Sequence, residues 1–513
     1  MRIKKFFIQI FILFLISYIS AQEIGLQYIT PAAKNEIDFG IALKKSVDNS
    51  SVIKQALADY YKSKAMAEKI SSMYDLIFSG NVTYTENKTY PNSLLSPEDT
   101  KVLVYKASLA NKLFTGGFLS LDFSSTRTDI IFPEISIPGF DPSMFTATIN
   151  PSYKPAISLV YTQPLLKDFW GRPDEKALKI GDLSVKMSKE ALKNAILDNV
   201  TSLKEMYLLY YMSQKLQQVQ NDFYIDAEKL YKETLQLKSI GMREDTDILQ
   251  AKASMLSAKA ELEPADNQVK FARENFLNAA GFKQEEWDKT DIKIEELKED
   301  AYIPELTEEL ENLLVDVSPQ VAIVKYSLDM AKTSKEIADT SALPSLNLTG
   351  SYGIEGFGAN LQDSFDILTD NKYRNFMIGV NFSWAIPNRA GSGETKSKEE
   401  EYKKILEQYE FLKNQTKIII RNSYRTLLAA KNRYEMAKEA KQLTEKRLQL
   451  QKKNFSKGVI SLRELIMTQA DFNQTRIKEV TSYVDYIKAV SQWNKINGKY
   501  DNYFNEYILL IEK

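Results

Sequence analysis

The 513-residue sequence predicts an α+β protein that is mostly helical and has two internal repeats, each a β-strand pair followed by a long α-helical coiled-coil hairpin. Three observations carry this. The first is a duplication. Around Gly241, in Leu237-Lys-Ser-Ile-Gly-Met-Arg-Glu244, a long helical pattern is interrupted by one glycine and resumes; 217 residues later the same happens around Gly458, in Phe455-Ser-Lys-Gly-Val-Ile-Ser461. At that offset Asp247 falls under Glu464, Ile248 under Leu465, Ala253 under Ala470, Phe276 under Trp493 and Gly281 under Gly498. Acid on acid and aromatic on aromatic at one constant spacing is the mark of a repeated unit. The second observation is a set of short segments alternating with period two. The third is a pair of helical patterns of about 65 residues, near 100 Å at 1.5 Å per residue, a length that suits coiled-coil packing rather than a globular core.

In chain order, Arg2, Lys4 and Lys5 precede an almost wholly apolar run from Phe6 to Ile19, and Ser20-Ala21 stands before Gln22. This is the pattern of a secretory leader over 1–21, too short to span a membrane. No cysteine stands at the cleavage point to carry a lipid. The first repeat is expected over 22–281. It starts with an irregular lead-in and a helix over 37–74 marked by Val47, Ile53, Ala56, Tyr60 and Ala67. Strands follow over about 78–166, then a hairpin over 174–281 with its tip at Gly241. The second repeat is expected over 305–498. Its helix over 306–342 lies 268 positions after the first, its strands cover about 345–387, and its hairpin covers 394–498 with the tip at Gly458. The acidic, irregular stretch 282–304 reads as a linker between the repeats, and 499–513 as a tail beside the helices.

The strands are read from alternation. Phe78, Val82 and Tyr84 alternate with Ser79, Asn81 and Thr83; Phe376, Ile378, Val380, Phe382, Trp384 and Ile386 alternate with Gly379, Asn381, Ser383 and Ala385. An aromatic-rich apolar face opposite a small, polar one is the pattern of a transmembrane barrel strand. A soluble sandwich with one wet face alternates in the same way; the leader and the duplication favour the barrel. The first repeat holds an additional pair, Leu103 to Ala110 and Phe118 to Ser125, joined around Thr115-Gly-Gly117. The second repeat has no equivalent, and alternation alone does not say whether this hairpin enters the wall or stands off it.

Composition narrows function further. The chain has neither cysteine nor histidine, which removes thiolate nucleophiles, disulfides, Cys/His zinc sites and imidazole chemistry. A carboxylate-only glycan hydrolase survives that filter, but no paired-acid site stands in a strand-rich frame. The formal charge is −1 and falls to −4 once Arg2, Lys4 and Lys5 leave with the leader. Without a basic excess the chain is not expected to bind nucleic acid. Neither an enzymatic activity nor a metal or other cofactor is expected.

The order of leader, helix, strand pair and long hairpin, followed by its repetition, resembles the TolC-like outer-membrane efflux factor family. The supporting segments are Ser318-Pro-Gln-Val321, Leu343-Pro-Ser-Leu-Asn-Leu348, Gln163-Pro-Leu-Leu166, Ile386-Pro-Asn-Arg389 and the tip around Gly458. The resemblance implies a homotrimer with a shared outer-membrane β-barrel, four strands per chain, above a periplasmic tunnel of α-helices. It implies partnership with a periplasmic adaptor and an inner-membrane transporter, in efflux or type I secretion. Gly241 and Gly458 match the family's adaptor-docking tips, although helix-capping glycines look the same. Asp247 and Glu464 match acidic positions at the pore constriction. The family's second inner-helix acid is Met467 here, its gate tyrosine is Phe455 and its gate arginine is Ile460. The expectation is therefore a closed state held by other pairs, with Arg463 or Arg243 beside Asp247. The alternative is a periplasmic coiled-coil adaptor or scaffold, which leaves the aromatic alternating strands unexplained.

Overall fold

The computed structural model describes residues 35–92, 96–133, 149–295 and 303–511. The leader at 1–21 lies outside the described residues. Two pairs of antiparallel helices dominate the molecule. Helix α3 (Arg172–Ser239) returns as α4 (Asp245–Ala279), and α9 (Arg389–Ser456) returns as α10 (Leu462–Ile496). The outgoing helices have 68 residues each and the returning ones 35. All eight boundaries keep the 217-residue offset of the duplication. At 1.5 Å per residue the outgoing helices are about 100 Å long.

All four helices end in the same way. Gly241, Gly281, Gly458 and Gly498 have φ between 74° and 78°, the left-handed region where a side chain is disfavoured. The residue after each reaches back five positions: Met242 N donates to Leu237 O, Phe282 N to Leu277 O, Val459 N to Asn454 O and Lys499 N to Asn494 O, at 2.9–3.0 Å. This is the Schellman closure, which satisfies carbonyls that a helix end leaves open.

Each repeat is entered through two helices rather than the single one expected. Helix α1 (Phe39–Asn49) is followed by α2 (Ser51–Ser71), and Ser50 between them leaves the helical region at ψ 122° while its side chain accepts from Ile53 N. In the second repeat α6 (Glu308–Val317) stops at Ser318 and α7 (Pro319–Ser341) begins on Pro319. Proline biases its predecessor away from the helical region and fits the first helical position. The linker is also more regular than its composition suggests. It holds a short helix α5 (Gln284–Trp287) and a strand, β6 (Thr290–Ile292), that pairs in parallel with β1 (Asn35–Ile37).

The six long strands form one antiparallel sheet in chain order: β2 (Ile77–Lys88), β3 (Asp99–Lys112), β4 (Phe118–Ile131), β5 (Ser152–Pro164), β7 (Ser345–Glu355) and β8 (Tyr373–Ser383). The additional hairpin of the first repeat is therefore in the wall, between β2 and β5. A four-strand contribution per chain, as the family resemblance implied, does not hold here; the contribution is six. Between β7 and β8 the second repeat has a helix, α8 (Leu361–Thr369), in place of a hairpin. Strand β8 stops before Trp384 and Ile386, which stand exposed beyond its end.

Packing follows the helices. One core joins α1, α2, α3 and α4 with the final helix α11 (Asp501–Ile511), through Ile53, Tyr207, Phe276 and Phe504. A second joins α6, α7, α9 and α10 around Trp493, Val315, Ile420 and Leu427. The repeat partners Phe276 and Trp493 are both fully buried. A burial of that kind accounts for an aromatic at each position, since one such side chain removes 150–250 Å² from water.

Candidate functional site

Two regions of the fold bear on function, the hairpin tips and the sheet. At the tips, a cluster of Leu230 and Ala251 from the first hairpin with Leu448, Phe455, Leu462 and Leu465 from the second holds the two together. Asp247 and Glu464 are each the third residue of a returning helix. An acid in that first turn is favoured by the positive end of the helix dipole, so each carries a local structural role whatever else it does. Ser461 caps α10 by accepting from Glu464 N at 3.2 Å, and the exposed Glu464 carboxylate accepts from Gln451 Nε2 at 3.2 Å. The first tip has no such side-chain cap.

Arg243 makes the contact that ties the tips polar to apolar. Its guanidinium lies 3.7 Å from the Asp247 carboxylate and 4.5 Å from the centroid of the Phe455 ring. Phe455 is buried, at 7% exposure, and the cation stands over its face in place of water. A phenyl group needs no hydroxyl for this, because the negative face of its quadrupole attracts the charge. Phe455 thus makes its polar contact through its face. Of the two arginines raised by the sequence, the structure brings Arg243 to Asp247. Arg463 is exposed and makes no ion pair among the described residues. Met467 is exposed, and Ile460 packs against the apolar cluster.

Above the tips, polar contacts join the hairpins along their length. Arg476 pairs with Asp222 at 2.6 Å, Lys452 with Asp226 at 2.9 Å, and Lys495 with Asp198. Each links α9 or α10 to α3, so the hairpins are cross-braced rather than independent. No helix among the described residues is long and apolar enough to cross a membrane.

The sheet presents the opposite chemistry. Its register places Phe78, Leu109, Leu121, Leu159, Tyr352 and Phe376 in one straight row across all six strands. One position along, Ser79, Ser108, Asp122, Ser158, Gly353 and Asn375 form a row on the other face. On that face Ser120 Oγ donates to Asp122 at 2.9 Å. The apolar face is open to its surroundings: Phe78 is 72% and Phe376 73% exposed. A monomeric soluble protein rarely shows so extensive an apolar surface, whereas an outer-membrane strand requires it.

Sheet and helices meet at a tightly built joint. The β3–β4 turn sits on the start of α3, where Lys112 Nζ bonds Asp174 at 2.6 Å and Gln163 Nε2 donates to Thr115 O at 2.9 Å. Gly116 and Gly171 approach so closely that a methyl group on Gly116 would lie 2.8 Å from Gly171 N. Phe114, Phe169 and Trp170 stand exposed around this joint, as aromatic side chains do at a membrane–water boundary.

Comparison with known proteins gives the same picture. Residues 312–496 match the outer membrane efflux protein family, a span from within α6 to the end of α10. No curated protein matches the sequence. Among solved structures, the Campylobacter jejuni CmeC outer membrane channel is 15% identical, with 93% of this chain and 90% of that one covered at a TM-score of 0.62. The outer membrane protein VceC from Vibrio cholerae is 14% identical, with 90% and 95% covered at 0.61. The open state of the Neisseria gonorrhoeae MtrE outer membrane channel is 13% identical, with 92% and 93% covered at 0.57. Residues 312–496 thus match the outer membrane efflux protein family, in a chain that has the TolC-like fold and shares it over at least 90% of its length with these solved outer membrane channels.

Proposed function

We propose that the protein is the outer-membrane component of a tripartite efflux or type I secretion system. Three copies close a β-barrel in the outer membrane and continue as a helical tunnel through the periplasm. The tips at Gly241 and Gly458 dock a periplasmic adaptor that couples the tunnel to an inner-membrane transporter. One observation carries the reading: a sheet with an apolar face and two open edges, joined without a flexible linker to hairpins about 100 Å long. Open edges cannot stay in lipid, because unpaired backbone groups there have no water to satisfy them. The sheet must therefore be closed by further copies.

In this reading Asp247 and Glu464 are repeated around the axis at the tunnel mouth. A ring of like charges favours cations over anions. The contact of Arg243, paired with Asp247 on its own tip, with Phe455 on the other holds the two tips of a chain together, which supports a closed mouth. The adaptor or scaffold alternative has no use for six strands with an aromatic outer face. Fractionation is the test. The protein is expected in the outer membrane as a heat-resistant trimer on a gel; recovery as a soluble periplasmic monomer would sink the proposal.

A further inference from the structure

The sheet has six strands, and the two that close it are unlike the rest. Every residue of β2 and all but Gly379 of β8 are exposed, while the strands between them are largely covered by their neighbours. All five junctions are antiparallel. With an even number of strands, β2 and β8 therefore run in opposite senses, and β8 of one copy can pair antiparallel with β2 of the next. Their lengths of 12 and 11 residues match.

The β3–β4 hairpin is interposed in this sheet in a specific way. Phe78 and Leu121 share one row, and Lys88 and Ile131 share another, an offset of 43 positions in both cases. Strand β4 thus occupies the rows of β2 again, one hairpin further round the wall. Removing 43 residues would bring β2 against β5 with its faces and register kept. The rest of the wall would then match the two strands of the second repeat, where β7 begins 268 positions after β2. The hairpin is no loose appendage: the apolar row crosses it through Leu109 and Leu121, and its turn is fixed to Asp174 and Gln163 at the joint.

We propose that, in the trimer read above, β8 of each subunit pairs with β2 of the next to form an 18-stranded barrel, and that the β3–β4 hairpin is the element that widens it. Barrel diameter grows roughly linearly with strand number, so 18 strands give about 1.5 times the diameter of 12 and about twice the lumen area. A barrel of 16–18 strands leaves an aqueous channel. The lumen-facing row, with Ser79, Asp122 and Asn375, suits large hydrated cargo. The narrowest point is then left to the tips.

The native chain has no cysteine, so paired cysteines report on the junction without interference. Nine double variants combine Phe78→Cys, Val82→Cys or Tyr84→Cys on β2 with Phe376→Cys, Val380→Cys or Phe382→Cys on β8. On oxidation in outer-membrane preparations, at least one is expected to form a covalent ring of three chains. Ser79→Cys or Thr83→Cys with the same β8 partners should not, since these lie on the opposite face. Failure of all nine in a chain that still forms outer-membrane trimers would overturn the proposal, as would cross-linking that ignores the face. Absence of trimers in the unsubstituted chain would instead overturn the trimeric reading. Deletion of 89–131, joining Lys88 to Phe132, should lower the conductance of the barrel with its mouth opened to about half. An assembled deletion trimer with unchanged conductance would refute the widening, and if the deletion does not assemble, the cross-links decide alone.

Discussion

Substitution of Arg243 by glutamine removes one charge from the tip and shortens the side chain by two bonds, keeping a polar end. Two interactions are lost. The pair with Asp247, at 3.7 Å between positions four apart on the chain and with both side chains half-buried, is at the spacing where such pairs contribute about 0.3–0.5 kcal/mol. The cation over the Phe455 ring is worth more, because the ring is 7% exposed and the Arg243 side chain 18%. Such contacts range from about 0.5 kcal/mol at open sites to about 2 when desolvated, which places this one near 1.5 kcal/mol. Arg243 and Asp247 belong to the same tip, so only the Phe455 contact, about 1.5 kcal/mol or about 13-fold in an equilibrium, is broken when the tips part. If opening the mouth separates the two tips, Arg243→Gln should raise the ratio of open to closed channels about 13-fold in single-channel recordings. Asp247→Asn should leave it nearly unchanged. Phe455→Leu, which keeps an apolar side chain in the cluster, should account for most of the Arg243 effect in a double-mutant cycle. Equal effects of Arg243→Gln and Asp247→Asn, or no coupling between Arg243 and Phe455, would refute this reasoning.

Other consequences follow from particular contacts. Gly458→Ala meets no atom within 4 Å, so it should cost only about 1 kcal/mol for the left-handed backbone and still assemble. Gly171→Ala runs into the Phe114 carbonyl and should abolish stable trimers on a heat-resistance gel. The Glu311 side chain is buried and held by Arg421 at 2.8 Å; Arg421→Met strands a buried carboxylate and should lower stability by about 3 kcal/mol in denaturant unfolding. Burial raises the pKa of Glu190, with nearby Asp501 acting in the same direction and Lys193 opposing it. The folded state therefore penalises the ionised form. The penalty is complete above the raised value and absent below the unfolded one. Glu190→Gln should raise the melting temperature at pH 8, and the gain should shrink as pH falls through the raised value towards the unfolded one; a gain independent of pH would refute it.

Much of the fold could be read from residues because it rests on periodicity and repetition. The helical hairpins repeat along hundreds of residues, and their glycines fall where helix closure needs a positive φ. What could not be read depends on pairing between distant parts of the chain. The position of the β3–β4 hairpin is a matter of which edge it joins, and alternation is the same on either side of that choice. Strand β6 has three residues, too few for any period, and its partner β1 lies about 255 positions earlier in sequence. The break at Ser50 carries no proline, unlike its counterpart at Pro319, so only the second was signalled locally. At the tips, Arg243 was marked by its spacing from Asp247. Its contact with Phe455 joins opposite repeats and becomes visible only when both hairpins are packed together.

The equal lengths of the two hairpins set a rule for how this molecule can change. Both excursions run out and back over the same number of residues, so both tips sit at one level. A single inserted residue in one outgoing helix would turn everything beyond it by about 100° and lift it by about 1.5 Å. The cross-bracing pairs would then face away from one another and the rim would no longer be flat. Changes in length are tolerable only when made in both repeats, in both arms, and in steps close to seven residues, which restore the facing seam. The chain is in this sense a ruler with coarse graduations of about 10 Å. Its reach can be reset only by whole heptads, copied four times.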